Sequence, residues 1–241
     1  MRDTLFNNSK AIEPFRFNDA VVQVFPDMIQ RSVPGYGAML ELLTSLSSQY
    51  LQENTACYDL GCSLGAVSVL LSQRLAIKDV SIHAVDISAS MITQLNARLD
   101  QFEQLNIPII THEADILAID FAPCSLVILN LTLQFIEPDQ RDALIQGIYD
   151  KTTHNGAIII CDKVHFDGRC TQAVQTQWHE QFKRLQGYNE LEIAQKRAAI
   201  MNVLRTDTPE QQCARLEKAG FSHVNTWFQA FSFMGFIGVK A

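Results

Sequence analysis

The sequence contains no run of about 18 uncharged apolar residues, the length a helix needs to cross a bilayer. Its longest candidate, Ser125 to Ile136, is interrupted by Asn130, Thr132 and Gln134. The amino-terminal segment MRDTLFNNSK lacks an apolar signal core. Both absences lead to the expectation of a soluble, cytoplasmic protein with no membrane partner. Positive charge is also short: 19 Lys and Arg stand against 26 Asp and Glu, a formal net charge of −7. Proteins that grip phosphate backbones carry a basic footprint, so direct nucleic-acid binding is not expected. The six cysteines include no C-x-x-C pair and no Cys/His spacing suited to zinc, so reduced thiols and no metal are expected. With only 7 Pro and 11 Gly in 241 residues, collagen-like and low-complexity sequence are excluded.

What is present is a globular chain, 47% apolar with 14 Phe. Its length suits one full-sized domain with an elaboration, so residues 1–241 are read as a single α/β unit. From residue 53 onward, short β-rich runs alternate with helical patterns in the manner of a parallel sheet. Thr55 to Leu60 reads as a first strand, followed by a glycine-containing turn and a helix over about Leu64 to Leu75. Val80 to Asp86 gives a second strand, after which Ser88 can cap a helix whose Ile92, Leu95, Leu99 and Phe102 share one face. Pro108 to Glu113 makes a third strand. Ser125 to Leu131 and Gly156 to Cys161 are almost wholly apolar, as strands covered on both faces should be, and the Pro138 to Lys151 helix between them supplies the crossover. Thr208-Pro209-Glu210-Gln211 combines an N-cap, a first-turn proline and a capping-box Gln, and Gly220 stops that helix. Asn225 to Phe228 and Phe231 to Lys240 are too close for a crossover helix and should pair antiparallel. This order resembles the Rossmann-like, seven-stranded sheet of class I S-adenosylmethionine (SAM)-dependent methyltransferases.

Two segments lie outside that core. Residues 1–52 read as a helical cover, with Asn18 as a cap and a break at Ser32-Val33-Pro34-Gly35. Residues 170–205 read as a helical insertion. In the insertion, Asn189-Glu190-Leu191-Glu192 makes a capped helix start, and Ile193, Arg197, Ile200 and Leu204 fall in one row. That row sets Arg197 among apolar neighbours. A second row, Leu191, Ala194, Ala198 and Met201, widens the apolar face and suggests a subunit contact. Lys183-Arg184 reads as a solvated basic pair.

The turn Asp59-Leu60-Gly61-Cys62-Ser63-Leu64-Gly65 lets the backbone pass close to a ligand at a helix N-terminus. Asp86 follows 21 positions after Gly65, at a strand end where a carboxylate can accept from both ribose hydroxyls. Asp115, ending Glu113-Ala114-Asp115, could take an adenine amino group with Ile116 packed on the ring, although an ordinary loop Asp fits that position equally well. Asn130 ends an apolar strand at the sheet edge where open α/β folds place ligands, and there it needs hydrogen-bond partners. The same turn spells G-x-S-x-G, the nucleophile elbow of α/β-hydrolases, with Ser63 as nucleophile. An elbow should follow a strand deeper in the order, and among the histidines only His223 comes late enough to complete a triad. Cys62 as a thiol nucleophile is weaker than Cys62 as a small residue packed in a tight turn.

Four stretches carry a closer likeness: Val24 to Tyr36 (VFPDMIQRSVPGY), Tyr58 to Gly65 (YDLGCSLG), Leu129 to Phe135 (LNLTLQF) and Glu190 to Arg197 (ELEIAQKR). They resemble the carboxy-S-adenosyl-L-methionine synthases of the tRNA wobble-uridine 5-oxyacetate pathway. The resemblance implies an enzyme that converts SAM and prephenate to carboxy-SAM, phenylpyruvate and water. A separate enzyme would then transfer the carboxymethyl group to tRNA. Carried onto matching positions, the cofactor-binding set is Tyr36, Gly61, Cys62, Ser63, Asp86, Ile87, Asp115, Ile116, Asn130 and Arg197. Arg197 is implied to bind the new carboxylate from the second subunit of a homodimer, as the one catalytic residue. The family often has Asp-Asn where this chain has Asp86-Ile87, which makes the Ile87 contact one of backbone or packing. A true methyltransferase acting on a small molecule or RNA is the rival reading, and a non-catalytic cofactor-binding subunit is a third.

Overall fold

The computed structural model describes residues 2, 3, 5, 18–201 and 203–241. Seven strands form one sheet: β1 (Ala56–Leu60), β2 (Ser81–Asp86), β3 (Ile109–Glu113), β4 (Cys124–Asn130), β5 (Thr152–Lys163), β6 (His223–Ala230) and β7 (Phe233–Val239). Their order is β3-β2-β1-β4-β5-β7-β6. The β1–β5 pairings are parallel, whereas β7 runs antiparallel to both β5 and β6. The chain order reverses at β1, so the crevice outside the carboxyl ends of β1 and β4 is where such a sheet binds a ligand.

Among the described residues there are eight α-helices: α1 (Asp19–Ser32), α2 (Tyr36–Tyr50), α3 (Ala66–Arg74), α4 (Ala89–Leu99), α5 (Pro138–Lys151), α6 (Arg169–Leu185), α7 (Glu190–Ile200) and α8 (Pro209–Ala219). Local chemistry sets their ends. The Asn18 side chain accepts from the Val21 N–H, Ser88 from Met91, and Asn189 and Thr208 each close a reciprocal capping box, with Glu192 and Gln211. Gly220 stops α8 in the left-handed region at φ 113°. The break between α1 and α2 falls at Val33 to Gly35, as the Ser32-Val33-Pro34-Gly35 sequence suggests. Most of residues 1–17 of the expected cover lie outside the described residues.

Burial follows the pleat. On one sheet face Tyr58, Leu60, Val127 and Leu129 pack with Leu144, Ile148 and Leu216, while on the other Cys57, Leu126 and Ile128 pack with Met39, Leu43, Val67 and Leu71. Strand β5 is longer than its apolar run, because a register shift near Ser125 admits the polar Thr153, His154 and Asn155 at its start. At its other end Asp162 and Lys163 remain in the ladder opposite Met234 and Phe233.

Candidate active site

A cavity of about 880 Å³ opens at the carboxyl edge of the sheet. Its floor comes from the ends of β1, β2, β4 and β5, and its walls include residues of α1, α2, α6 and α7. The size falls in the upper part of the usual range for small-molecule sites.

One end is built by the turn after β1. Gly61, Ser63 and Gly65 all have positive φ, at 76°, 52° and 70°. Ser63 thus occupies a left-handed position that a glycine takes more easily. Asp59 is buried beneath the turn and accepts from the Ser68 N–H (3.1 Å) and hydroxyl (2.5 Å), so that a strand residue caps α3. Burial, with the nearby Asp86 charge, raises its carboxyl to about 6 despite the Ser68 bonds.

Asp86 ends β2 and joins the two turns that frame the cavity. Its carboxylate accepts from the Ser63 N–H (2.8 Å) and the Ser88 N–H (2.9 Å). Burial still raises its pKa. Ile87 beside it lines the cavity and is 71% exposed. Asp115 caps the short 3₁₀ turn Ile116–Ala118 by accepting from the Leu117 N–H (2.9 Å), and Ile116 is buried; both line the same wall. Asp115 therefore serves as a local cap and faces the cavity as well.

Asn130 at the end of β4 is followed by Leu131 at φ 62°, a strained conformation at the sheet edge. The Asn130 Oδ1 is buried with no hydrogen-bond partner among the described residues. Burial and the Asp59 charge raise the nearby Tyr36 phenol and keep it neutral. An orphaned buried acceptor in a polar recess costs about 1–3 kcal/mol unless a ligand supplies a donor. Turn, paired acids, apolar walls and this orphan fit an adenine nucleoside carrying a cationic centre. The sequence-expected residues Tyr36, Gly61, Cys62, Ser63, Asp86, Ile87, Asp115, Ile116 and Asn130 all line this one cavity.

Cationic residues that the sequence does not single out for the site line the cavity as well: Lys163, Lys183 and Lys196, together with His179. The expected solvated pair divides: Arg184 turns outward to Glu190 and Glu180, whereas Lys183 faces the cavity. Burial and the neighbouring ammonium groups bring Lys183 down to about 7. His179 bonds the Ser32 carbonyl at 2.8 Å through Nε2, and burial with the adjacent Lys183 and Lys163 charges lowers it to about 3, so it stays neutral. A signal existed: Gln175, His179 and Lys183 recur every fourth residue and form a polar inner stripe on α6.

Arg197 departs from its expected setting. Ile193 is buried and Ile200 and Leu204 line the cavity, but the Arg197 side chain is 62% exposed and pairs with Glu180 at 2.7 Å. Lys196 and Arg197 flank the Ile193–Ile200 line on opposite sides, and the inner place goes to Lys196, which meets Asp3 (2.5 Å) and the Tyr188 hydroxyl (2.6 Å). Arg197 does not line its own chain's cavity. In the second row, Leu191 and Met201 are exposed, and Trp178 and Val174 of α6 are exposed as well.

The hydrolase reading finds no support in the geometry. The Ser63 hydroxyl donates to the Met91 sulfur (3.4 Å), not to an imidazole. Burial and the Asp59 charge raise the Cys62 thiol far above its ordinary value, which leaves it unreactive. Among the described residues no group of three or more His, Cys, Asp or Glu could hold a metal, and no helix is long and apolar enough to cross a membrane.

The fold and the site define a class I SAM-dependent methyltransferase architecture. Residues 58–156 match the methyltransferase domain family. Human N-acetylserotonin methyltransferase in complex with SAM superposes with a TM-score of 0.63 at 16% identity, covering 92% of this chain and 55% of that one. Magnesium protoporphyrin IX methyltransferase from Synechocystis with bound SAM gives 0.59 at 14%, covering 89% and 85%. Identities this low show a shared fold.

Similarity along the whole chain narrows the class. The carboxy-S-adenosyl-L-methionine synthase of Pseudomonas fluorescens is 46% identical over 98% of both chains. That of Pectobacterium atrosepticum is 42% identical over 100% of this chain and 97% of the relative, and that of Marinobacter nauticus 39% over 100% and 96%. The chain belongs to the carboxy-S-adenosyl-L-methionine synthase family.

Proposed function

We propose that this chain makes carboxy-SAM, phenylpyruvate and water from SAM and prephenate, with residues 1–241 acting as one unit. The carboxylated product is the one in the relatives' shared name. The distribution of charge in the cavity lining carries the reading: Asp59, Asp86 and Asp115 come from the β1–β3 side of the sheet, and Lys163, Lys183 and Lys196 from the end of β5 and from α6 and α7. A cationic nucleoside and an anionic second substrate suit those two groups.

The reaction balances without an added oxidant or base. Prephenate loses carbon dioxide and hydroxide to become phenylpyruvate. The sulfonium-acidified methyl group gives its proton to the hydroxide and its carbon to the carbon dioxide. Within this chain, Asp86 holds the ribose through the acceptor positions left by Ser63 and Ser88, Asn130 Oδ1 takes a donor from the amino-acid portion, and Ile87 and Ile116 sandwich the adenine beside Asp115. His179, lowered to about 3 by burial and the adjacent ammonium charges, is too weak a base to hold the proton, which goes to the departing hydroxide.

The new carboxylate sits beside a retained positive sulfur, and a guanidinium is the natural bidentate holder for it, contributing about 1.5–3 kcal/mol. Exposed Arg197 fills that role for a second subunit, with the apolar outer faces of α6 and α7 as the homodimer contact. We place the enzyme in the cytoplasm, supplying a separate tRNA carboxymethyltransferase without binding tRNA itself.

Incubating the protein with SAM and prephenate and following products by mass spectrometry tests the reading. Carboxy-SAM with equimolar phenylpyruvate is expected. S-adenosylhomocysteine formed with a methyl acceptor in its place would establish the rival methyltransferase.

A further inference from the structure

Lys163 and Lys183 reach the cavity from different elements, the carboxyl end of β5 and the inner stripe of α6. Among the described residues neither ammonium has a hydrogen-bond or ion-pair partner. The carboxylate in reach, Glu180, is already paired with Arg197 and Arg184. The third lysine of the lining, Lys196, is held by Asp3 and Tyr188. Two partly buried ammonium groups that repel each other are costly to maintain unless an anion joins them. Both lie with the apolar Phe233, Ile200, Val203 and Leu204 in the cavity wall.

We infer that Lys163 and Lys183 form the subsite for the carboxylate that survives the reaction, the 2-oxo acid end of the co-substrate. The inference rests on the reading that the co-substrate is a dicarboxylate losing one acid group as carbon dioxide. The choice between its two carboxylates follows from charge. An acid leaving as carbon dioxide gives up its negative charge into the ring, and a fixed ammonium against it would stabilise the starting state more than the transition state. Ammonium groups belong on the acid that keeps its charge. The departing carboxylate is then placed toward the apolar residues and the sulfonium. Because the backbone N–H of Lys163 donates to Gln134 Oε1 at 2.9 Å, the strand end carrying it is fixed to the loop after β4. The anchor is therefore rigid relative to the nucleoside end.

Equilibrium binding of phenylpyruvate, which carries only the surviving carboxylate, tests this independently of turnover. Titrations are made on SAM-saturated full-length protein. The Lys163→Met/Lys183→Met variant is expected to bind phenylpyruvate at least tenfold more weakly, while its SAM affinity stays within twofold, which also shows that it folds. Lys163→Arg and Lys183→Arg should each recover most of the binding. Phenylpyruvate affinity within twofold of the parent in the double Met variant overturns the assignment, as does a parent protein that binds no phenylpyruvate. Parent protein that binds phenylpyruvate through these lysines yet yields no carboxy-SAM from prephenate would refute the proposed function and leave the subsite standing.

Discussion

At the scale of single residues, the cavity holds charge under strain. Lys183 is the plainest case. Burial acts first, then the charges of Lys163, Lys196 and Arg197, against a partial opposing effect from Glu180; together they bring its ammonium from 10.5 to about 7. Between those two values the unfolded chain keeps a proton that the folded chain has lost, so stability rises with pH across the window. The unfavourable charge is fully present below about pH 7. Lys183→Met removes it. The variant should melt above the parent near pH 6, by about 2–4 °C for each kcal/mol relieved, and the advantage should shrink as pH approaches 10. Melting curves between pH 6 and 10 without added substrate check this; a difference that does not vary with pH would show that the Lys183 charge carries no such cost. A binding group that destabilises its own fold is the expected signature of a site shaped for its ligand.

At the scale of elements, the insertion is tied to the core by one buried cation. Arg141 of α5 is fully buried, donates through Nε and Nη2 to the Ile136 carbonyl (2.9 and 2.8 Å) and through Nη2 to the Arg205 carbonyl (2.6 Å), and sets Nη1 2.7 Å from Asp207. It joins the loop after β4 to the chain that returns from α7, and both segments line the cavity. Arg141→Met strands two carbonyls and part of a carboxylate's pairing, a loss of about 3–5 kcal/mol. Arg215→Met should cost clearly less, because Asp207 keeps Arg141 and the other partner, Asp142, is half exposed. Denaturant unfolding of the two variants ranks them, and equal losses would show that the carbonyl bonds contribute little.

The elements differ in how far the sequence discloses them. Caps at Asn18, Ser88, Asn189 and Thr208 were readable because each satisfies backbone donors within three residues. Strand β4 was readable because both its faces are buried. Strand β5 was seen only as Gly156 to Cys161, since its polar ends are specified by partners distant in sequence: Gln212 bonds Asp162 (3.2 Å), and the cavity accounts for Lys163. Lys183 was missed for a related reason: an apolar period marks helices that face a core, whereas α6 turns the polar stripe of Gln175, His179 and Lys183 inward. Choosing Lys196 over Arg197 as the inner cation needed the Asp3 and Tyr188 contacts, which no local spacing encodes.

At the scale of the whole molecule, the question is whose cavity Arg197 serves. Its guanidinium lies outside its own chain's cavity and rests on Glu180, while exposed Leu191, Met201, Val174 and Trp178 make the outer faces of α6 and α7 apolar. In a two-fold dimer the same patch meets itself, so each Arg197 would be carried toward the opposite cavity. Mixing two inactive variants decides it. Arg197→Ala keeps an intact nucleoside end, and Asp86→Ala keeps an intact Arg197. After unfolding and refolding together at equal amounts, about half of the dimers are mixed, and in each the Arg197→Ala chain receives the guanidinium of its Asp86→Ala neighbour. One of two sites is then complete, so carboxy-SAM formation should return to about a quarter of the parent rate. If Arg197 acts within its own chain, neither chain of a mixed dimer holds both groups and the mixture stays as inactive as its components.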